Sequence, residues 1–272
     1  MPFTPAHAAA ALPFRRTRLV LSAVVIGTLA PDFEYFLRFQ PDGRFGHTVL
    51  GALCLTLPSA LVVLWMFHAI LKRPTARLLP DAVQRRLENQ LDEFRFGGAG
   101  RFFLIVASIV VGISTHIFWD SFTHSGSWWP RHSTFLQQHV PFPLLGRETL
   151  FRVLQHLSTI AGLAVVTAWL TVWYRSTLPS TEPLDVAISA KRKALTWAAL
   201  SSIALLGALG HAFFVIGIPV ERDSAKLFLG SAVVTGIALL WWQLVLYGIW
   251  SSRKNAPGRL EAMRCGDKVE VR

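Results

Sequence analysis

His116, Asp120 and His124 fall one helical turn apart, reading H-x-x-x-D-x-x-x-H at the end of the apolar stretch 102–124. Positions i and i+4 share a face of a helix. Imidazole and carboxylate therefore point the same way, as two ligands of one metal ion would. The plainer account is an imidazole N–H satisfied by a nearby carboxylate. Further ligand types stand nearby in the chain: His7 near the N-terminus, Asp32 in Ala30-Pro31-Asp32-Phe33-Glu34, His47 in Gly46-His47-Thr48, and His156 in Leu154-Gln155-His156. A set of histidines and carboxylates without cysteine suits zinc or manganese. Cys54 and Cys265 lie far apart in unlike surroundings, which excludes a disulfide framework and a cysteine-type zinc site.

The elements that must carry these residues are membrane spans. Of the 272 residues 52% are hydrophobic and only 16% charged, against about a quarter charged in an ordinary soluble domain. Five apolar stretches, 48–71, 102–119, 153–174, 194–220 and 227–252, approach or exceed the roughly 20 residues that cross a bilayer. The fold class expected is all-α, a multi-pass transmembrane helical bundle with short N-terminal helices. The membrane bilayer is the expected partner.

The net charge of +11 could mark an anionic partner, but its placement says otherwise. Most of the 27 Lys and Arg fall in segments 72–101 and 175–193 and in the tail 253–272, while 123–150 and 221–226 hold two each. By the positive-inside rule the first set is cytoplasmic, the C-terminus included, and the second faces out. The charge orients the bundle, and no nucleic-acid footprint is expected. His47 then starts a span at the outer face, Asp120 and His124 end one there, and His156 begins the next. Their convergence at one membrane level strengthens the metal reading. His68 and His211 receive the ordinary reading of packed side chains, and either of His132 and His139, in the outer loop, could join the site.

The linear organisation expected is a metal-site membrane domain over 1–175, two further transmembrane helices over 176–252 and a basic cytoplasmic tail over 253–272. The N-terminal region allows several readings. Thr4 as a cap with Pro5 at the first helical position starts a helix. The apolar run 19–30 after Arg15, Arg16 and Arg18 has the look of a secretory signal peptide, although Pro31 would obstruct cleavage there. A sixth span over 19–37, or a pair of short helices packed on the bundle, are the alternatives.

The opening Met1-Pro2-Phe3-Thr4-Pro5-Ala6-His7, then Ala30-Pro31-Asp32-Phe33-Glu34, Gly46-His47-Thr48, and Ser114-Thr115-His116 through Asp120-Ser121-Phe122-Thr123-His124 together resemble a bacterial family of uncharacterised multi-pass membrane proteins. That family looks like a relative of the inner-membrane metal-dependent hydrolases, and more remotely of the zinc-dependent phospholipase C and P1-nuclease group. The resemblance implies metal ligands at His7, Asp32, His47, His116 and Asp120, with Asp120 bridging two metals. It makes His124 and His156 candidates for a further one, and Glu148 is a weak substitute for a missing ligand. If His7 and Asp32 share a site, they cannot lie on one straight helix, which would hold them about 37 Å apart. The chain must then fold back near Pro13 to Thr17, which favours two short helices.

The function expected on this basis is a membrane-embedded metal-dependent hydrolase, with zinc as the cofactor and Asp32 and Asp120 as catalytic residues. Its substrate would be a phosphoester in a lipid or lipid-linked compound. The alternatives are a non-catalytic or transport-type membrane protein with a structural metal site, and bis-histidine haem binding through His116 and His156.

Overall fold

The computed structural model describes residues 3–43, 45–91, 94–142, 146–181 and 188–254. Of the basic tail, residues 255–272 lie outside the described residues. After a 3-10 helix at Thr4–Arg16, the chain forms α1 (Leu21–Leu29), a 3-10 turn (Ala30–Asp32) and α2 (Phe33–Arg38). There follow α3 (Val49–Arg77), α4 (Asp81–Leu87), α5 (Ala99–Thr123), α6 (Trp128–His132) and α7 (Thr134–Gln137). A small antiparallel hairpin of β1 (His139–Phe142) and β2 (Gly146–Thr149) pairs His139 with Thr149. The chain ends in α8 (Leu150–Ser176), α9 (Ala190–Ile216) and α10 (Arg222–Lys254).

The fold is all-α, and five helices are long and apolar enough to cross a membrane: α3, α5, α8, α9 and α10. They run past the apolar stretches into charged residues such as Lys72 and Arg77, because a helix continues unbroken where its side chains re-enter water. Their outward faces carry Val49, Phe103, Ile160, Leu206 and Leu246, all exposed. Surfaces of that kind are stable only against lipid.

The chain forms two compact units. The first comprises residues 1–38, 42–64 and 95–177, and the second 39–41, 65–94 and 178–272. The division falls inside α3, so 65–94 groups with the last two long helices rather than with the site-bearing part.

In the first unit the N-terminal segment folds back on itself. The 3-10 helix begins at Thr4 itself, with Phe3 in the cap position. It ends at Arg16, where the Thr17 hydroxyl donates to the Phe14 carbonyl and accepts the Leu19 N–H. The chain returns as α1, whose Val20 N–H donates to Ser108 Oγ of α5 at 3.0 Å. The run 19–30 is therefore packed into the unit, with Ala23, Val24 and Thr28 wholly buried. Residues 19–37 are not among the helices able to cross a membrane. α1 meets α5 at Gly27 and Gly112. A Cβ at either would stand 2.3 Å from a backbone carbonyl of the other helix, that of Ile109 or of Val24. Glycine alone permits this approach, and it sets α1 against the turn of α5 just before His116.

In the second unit α9 packs along α10. The carbonyls at the C-terminal end of α3 are taken up by side chains. Gln84 donates to Arg77 and Leu79, Trp197 Nε1 to Leu78, and Lys193 Nζ to Leu79.

Candidate metal centre

His116, Asp120 and Asp32 come to their places by local backbone geometry. His116 and Asp120 sit on the inner face of α5, one turn apart and both buried. Asp32 closes the 3-10 turn that follows α1. Pro31 has no N–H, so the Thr28 carbonyl loses its i+3 donor and is available to a side chain. His116 Nδ1 donates to it at 2.8 Å. A carbonyl only accepts, so Nδ1 carries a hydrogen and Nε2 faces inward. A metal-binding histidine is fixed in this way.

Four ligand atoms then converge. His116 Nε2 lies 3.2 Å from Asp120 Oδ2, 3.6 Å from Asp32 Oδ1 and 3.3 Å from His47 Nε2. His47 Nε2 lies 3.6 Å from both Asp32 Oδ1 and Asp120 Oδ2. Two triangles of donors therefore share the His47–His116 edge, one closed by Asp32 and the other by Asp120. The donor separations of 3.2–3.6 Å are close to the edges of about 3.3–3.4 Å between ligands on an ion with bonds of about 2.0–2.1 Å.

His7 and His124 flank the cage. His7, 5% exposed, stacks on the His116 ring at 3.9 Å and brings Nε2 to 3.5 Å from Asp120 Oδ1. Ligand atoms of His7, Asp32 and His116 lie within 4.8 Å of one another, as do those of His47, His116 and Asp120. His124 caps α5, with Nδ1 3.1 Å from the Asp120 carbonyl and 3.6 Å from its Oδ2. Asp120 thus turns one oxygen toward His116 and His47 and the other toward His7.

Electrostatics also call for a cation. Asp32 is wholly buried, and desolvation pushes its carboxyl above the usual range. Burial, reinforced by the neighbouring His116, lowers the His7 imidazole to about 3, so at neutral pH it is a neutral lone-pair donor. Among the described residues Asp32 Oδ1, both carboxylate oxygens of Asp120, His7 Nε2 and His124 Nε2 have no hydrogen-bond partner. An unpaired buried carboxylate costs several kcal/mol. A shared proton would relieve one contact, whereas a divalent ion would satisfy the cage.

Two ligand candidates stand apart. His156 is exposed on α8, its ring packed against Phe142. The face of α8 that meets the N-terminal helix is set by Thr159, which accepts the Phe3 N–H, and by Gly162, which lies against Ala6. His156 falls to one side of that face and joins neither ligand group. Glu148 instead pairs with Arg152 at 3.2 Å. His68, His132 and His211 contact Phe94, the Trp128 carbonyl and Thr235 respectively.

Thr4, read from the sequence only as a cap, donates its hydroxyl to Asp32 Oδ2 at 2.6 Å. This occupies one carboxylate oxygen and leaves Oδ1 for the cage. Its proximity to Pro5 suggested a local role, and nothing in the sequence pairs it with a residue 28 positions on.

Residues 1–249 match the family described as a domain of unknown function (DUF4184), and the chain belongs to that family. No curated protein and no solved structure matches it.

Proposed function

We propose that this member of the DUF4184 family is a membrane-embedded, metal-dependent hydrolase of a phosphoester carried by a lipid or lipid-linked substrate. The observation that carries the reading is the convergence of Asp32 and Asp120 on the His47–His116 pair, at spacings a metal ion would need and with unsatisfied carboxylate oxygens. Bound zinc would lower the pKa of a coordinated water toward about 7 and polarise a phosphoryl oxygen.

The chain's own residues do the rest. His116, fixed by the Thr28 carbonyl, and Asp32, fixed by Thr4, give the cage a rigid floor. Asp120 offers its second oxygen on the His7 side, where His7 and His124 are the remaining donors. On that side three protein donors would leave a position for water and substrate, as a catalytic centre needs. Access runs past the His47 and His124 side chains, 22% and 29% exposed, while His116 and Asp32 are closed off.

His47 precedes α3 and Asp120 ends α5, at the ends of two membrane-length helices remote from the basic segment 72–101. By the positive-inside rule this puts the centre at the outer face and the C-terminus in the cytoplasm. A site at that level suits a substrate whose apolar part stays in the bilayer.

The test is elemental analysis of the purified chain together with hydrolysis of bis(p-nitrophenyl) phosphate and of a fluorescent phospholipid in detergent. Stoichiometric zinc, and turnover abolished by chelator and by Asp120→Asn, are expected. Stoichiometric metal in both Asp120→Asn and His116→Ala would refute the centre. Metal without turnover on either substrate would leave a structural or transport site.

A further inference from the structure

We infer that Glu34 and Thr56 are positioning residues that set His47 in the cage by clamping the residue before it, an inference that rests on the metal reading above. Asp32, His116 and Asp120 are held by helical backbone. His47 ends a three-residue turn, Phe45–His47, and its side chain is the most exposed of the four cage ligands. It needs a hold of another kind.

The hold is on Gly46. Its N–H donates to Glu34 Oε2 of α2 at 2.9 Å, and its carbonyl accepts from Thr56 Oγ1 of α3 at 3.1 Å. Both side chains are buried, at 3% and 1% exposure. A Cβ on Gly46 would stand 2.7 Å from the Pro31 carbonyl. The residue before His47 is therefore pressed against the residue before Asp32, and two ligands from separate elements are brought into register through their backbones. On the other side Thr48 accepts the Gly51 N–H and donates to the Phe45 carbonyl, which fixes the start of α3. His47 sits between a clamp and a cap.

The choice of glutamate also has a reason. A buried carboxylate is costly unless paired, and Arg38, one turn on, brings its guanidinium to 2.7 Å from Glu34 Oε1 while remaining exposed itself. The ion pair lets a full charge accept the Gly46 N–H, a bond stronger than a neutral acceptor would make.

The experiment is titration of the metal-free, detergent-solubilised full chain with Co(II), read by its visible d–d absorption, whose intensity reports tetrahedral coordination. Glu34→Ala and Thr56→Val should each weaken Co(II) binding about 10- to 100-fold and dim the band. Glu34→Gln, which keeps an acceptor of the same shape, should recover most of both. In a His47→Ala background Glu34→Ala should add no further loss, because the ligand it positions is gone. Wild-type affinity and absorption in Glu34→Ala or in the isosteric Thr56→Val would overturn the clamp, as would losses that add in the double variant. A wild-type chain that binds no Co(II) would instead remove the metal reading, and the clamp with it.

Discussion

Each unit buries charged and polar side chains among apolar helices, and the two clusters differ in how they are satisfied. In the second unit Lys193, 6% exposed, donates to the Leu79 carbonyl and pairs with Asp81, and Gln84 and Trp197 take the carbonyls around it. The bonds to Leu79, Arg77 and Leu78 give donors to backbone carbonyls at the end of α3. In the first unit His116 and Asp32 are each tied to the fold on one side only, and among the described residues Asp32 Oδ1 and both Asp120 oxygens have no hydrogen-bond partner. A satisfied buried cluster explains itself as structure. One whose donors and acceptors are half used, with the free halves at a common spacing, is a site for something else.

The largest test of this difference pairs one substitution from each cluster. Asp120→Asn should lower zinc affinity more than ~100-fold, beyond what loss of a supporting hydrogen bond costs. Metal content by mass spectrometry after dialysis reads it directly. Lys193→Met should leave metal content unchanged and lower stability by roughly 0.5–1.5 kcal/mol, through loss of its bond to the Leu79 carbonyl, which keeps Gln84 as a donor, seen as an earlier thermal transition. Metal loss in Lys193→Met, or retention in Asp120→Asn, would break the distinction between the clusters.

A smaller effect separates ligand from support inside the first cluster. Thr4→Val removes the hydroxyl from Asp32 Oδ2 at nearly constant volume. The carboxylate is then free to rotate, and zinc affinity should drop about tenfold, with the band of bound Co(II) kept at saturation. A loss as large as that of Asp120→Asn would make Thr4 more than a support.

Much of this was legible in the sequence, for reasons that particular residues make plain. The five long helices follow from uncharged runs, since no other element hides its backbone in lipid. His116 and Asp120 follow from helical spacing, and His47 with Asp120 from the membrane level at which their helices begin and end. Level along a helix does not give direction around it, and His156 shows the difference. It lies at the expected end of α8, but the packing of Thr159 and Gly162 turns it away from the centre. That packing depends on a contact with the N-terminal helix more than 150 residues away. The roles of Thr4, Glu34 and Thr56 were hidden for the same reason, since each acts on an element distant in sequence.

The finest test concerns the charge state of the centre in chelator-treated protein. Burial holds the folded His7 imidazole at about 3 against an ordinary value of 6.5, so the unfolded chain takes up this proton first. The contribution is complete above pH 6.5 and is lost as pH falls from there toward 3. Between pH 7 and pH 6 the loss comes to about 0.7 kcal/mol for one such group. Asp32, whose carboxyl is raised by burial, works in the opposite sense, so the effect is read as a difference between wild type and His7→Gln. With chelator present, wild type should lose that much more stability than the variant over this interval. Equal slopes would mean that His7 is solvated in the metal-free fold, and the second side of Asp120 would then lack its buried donor.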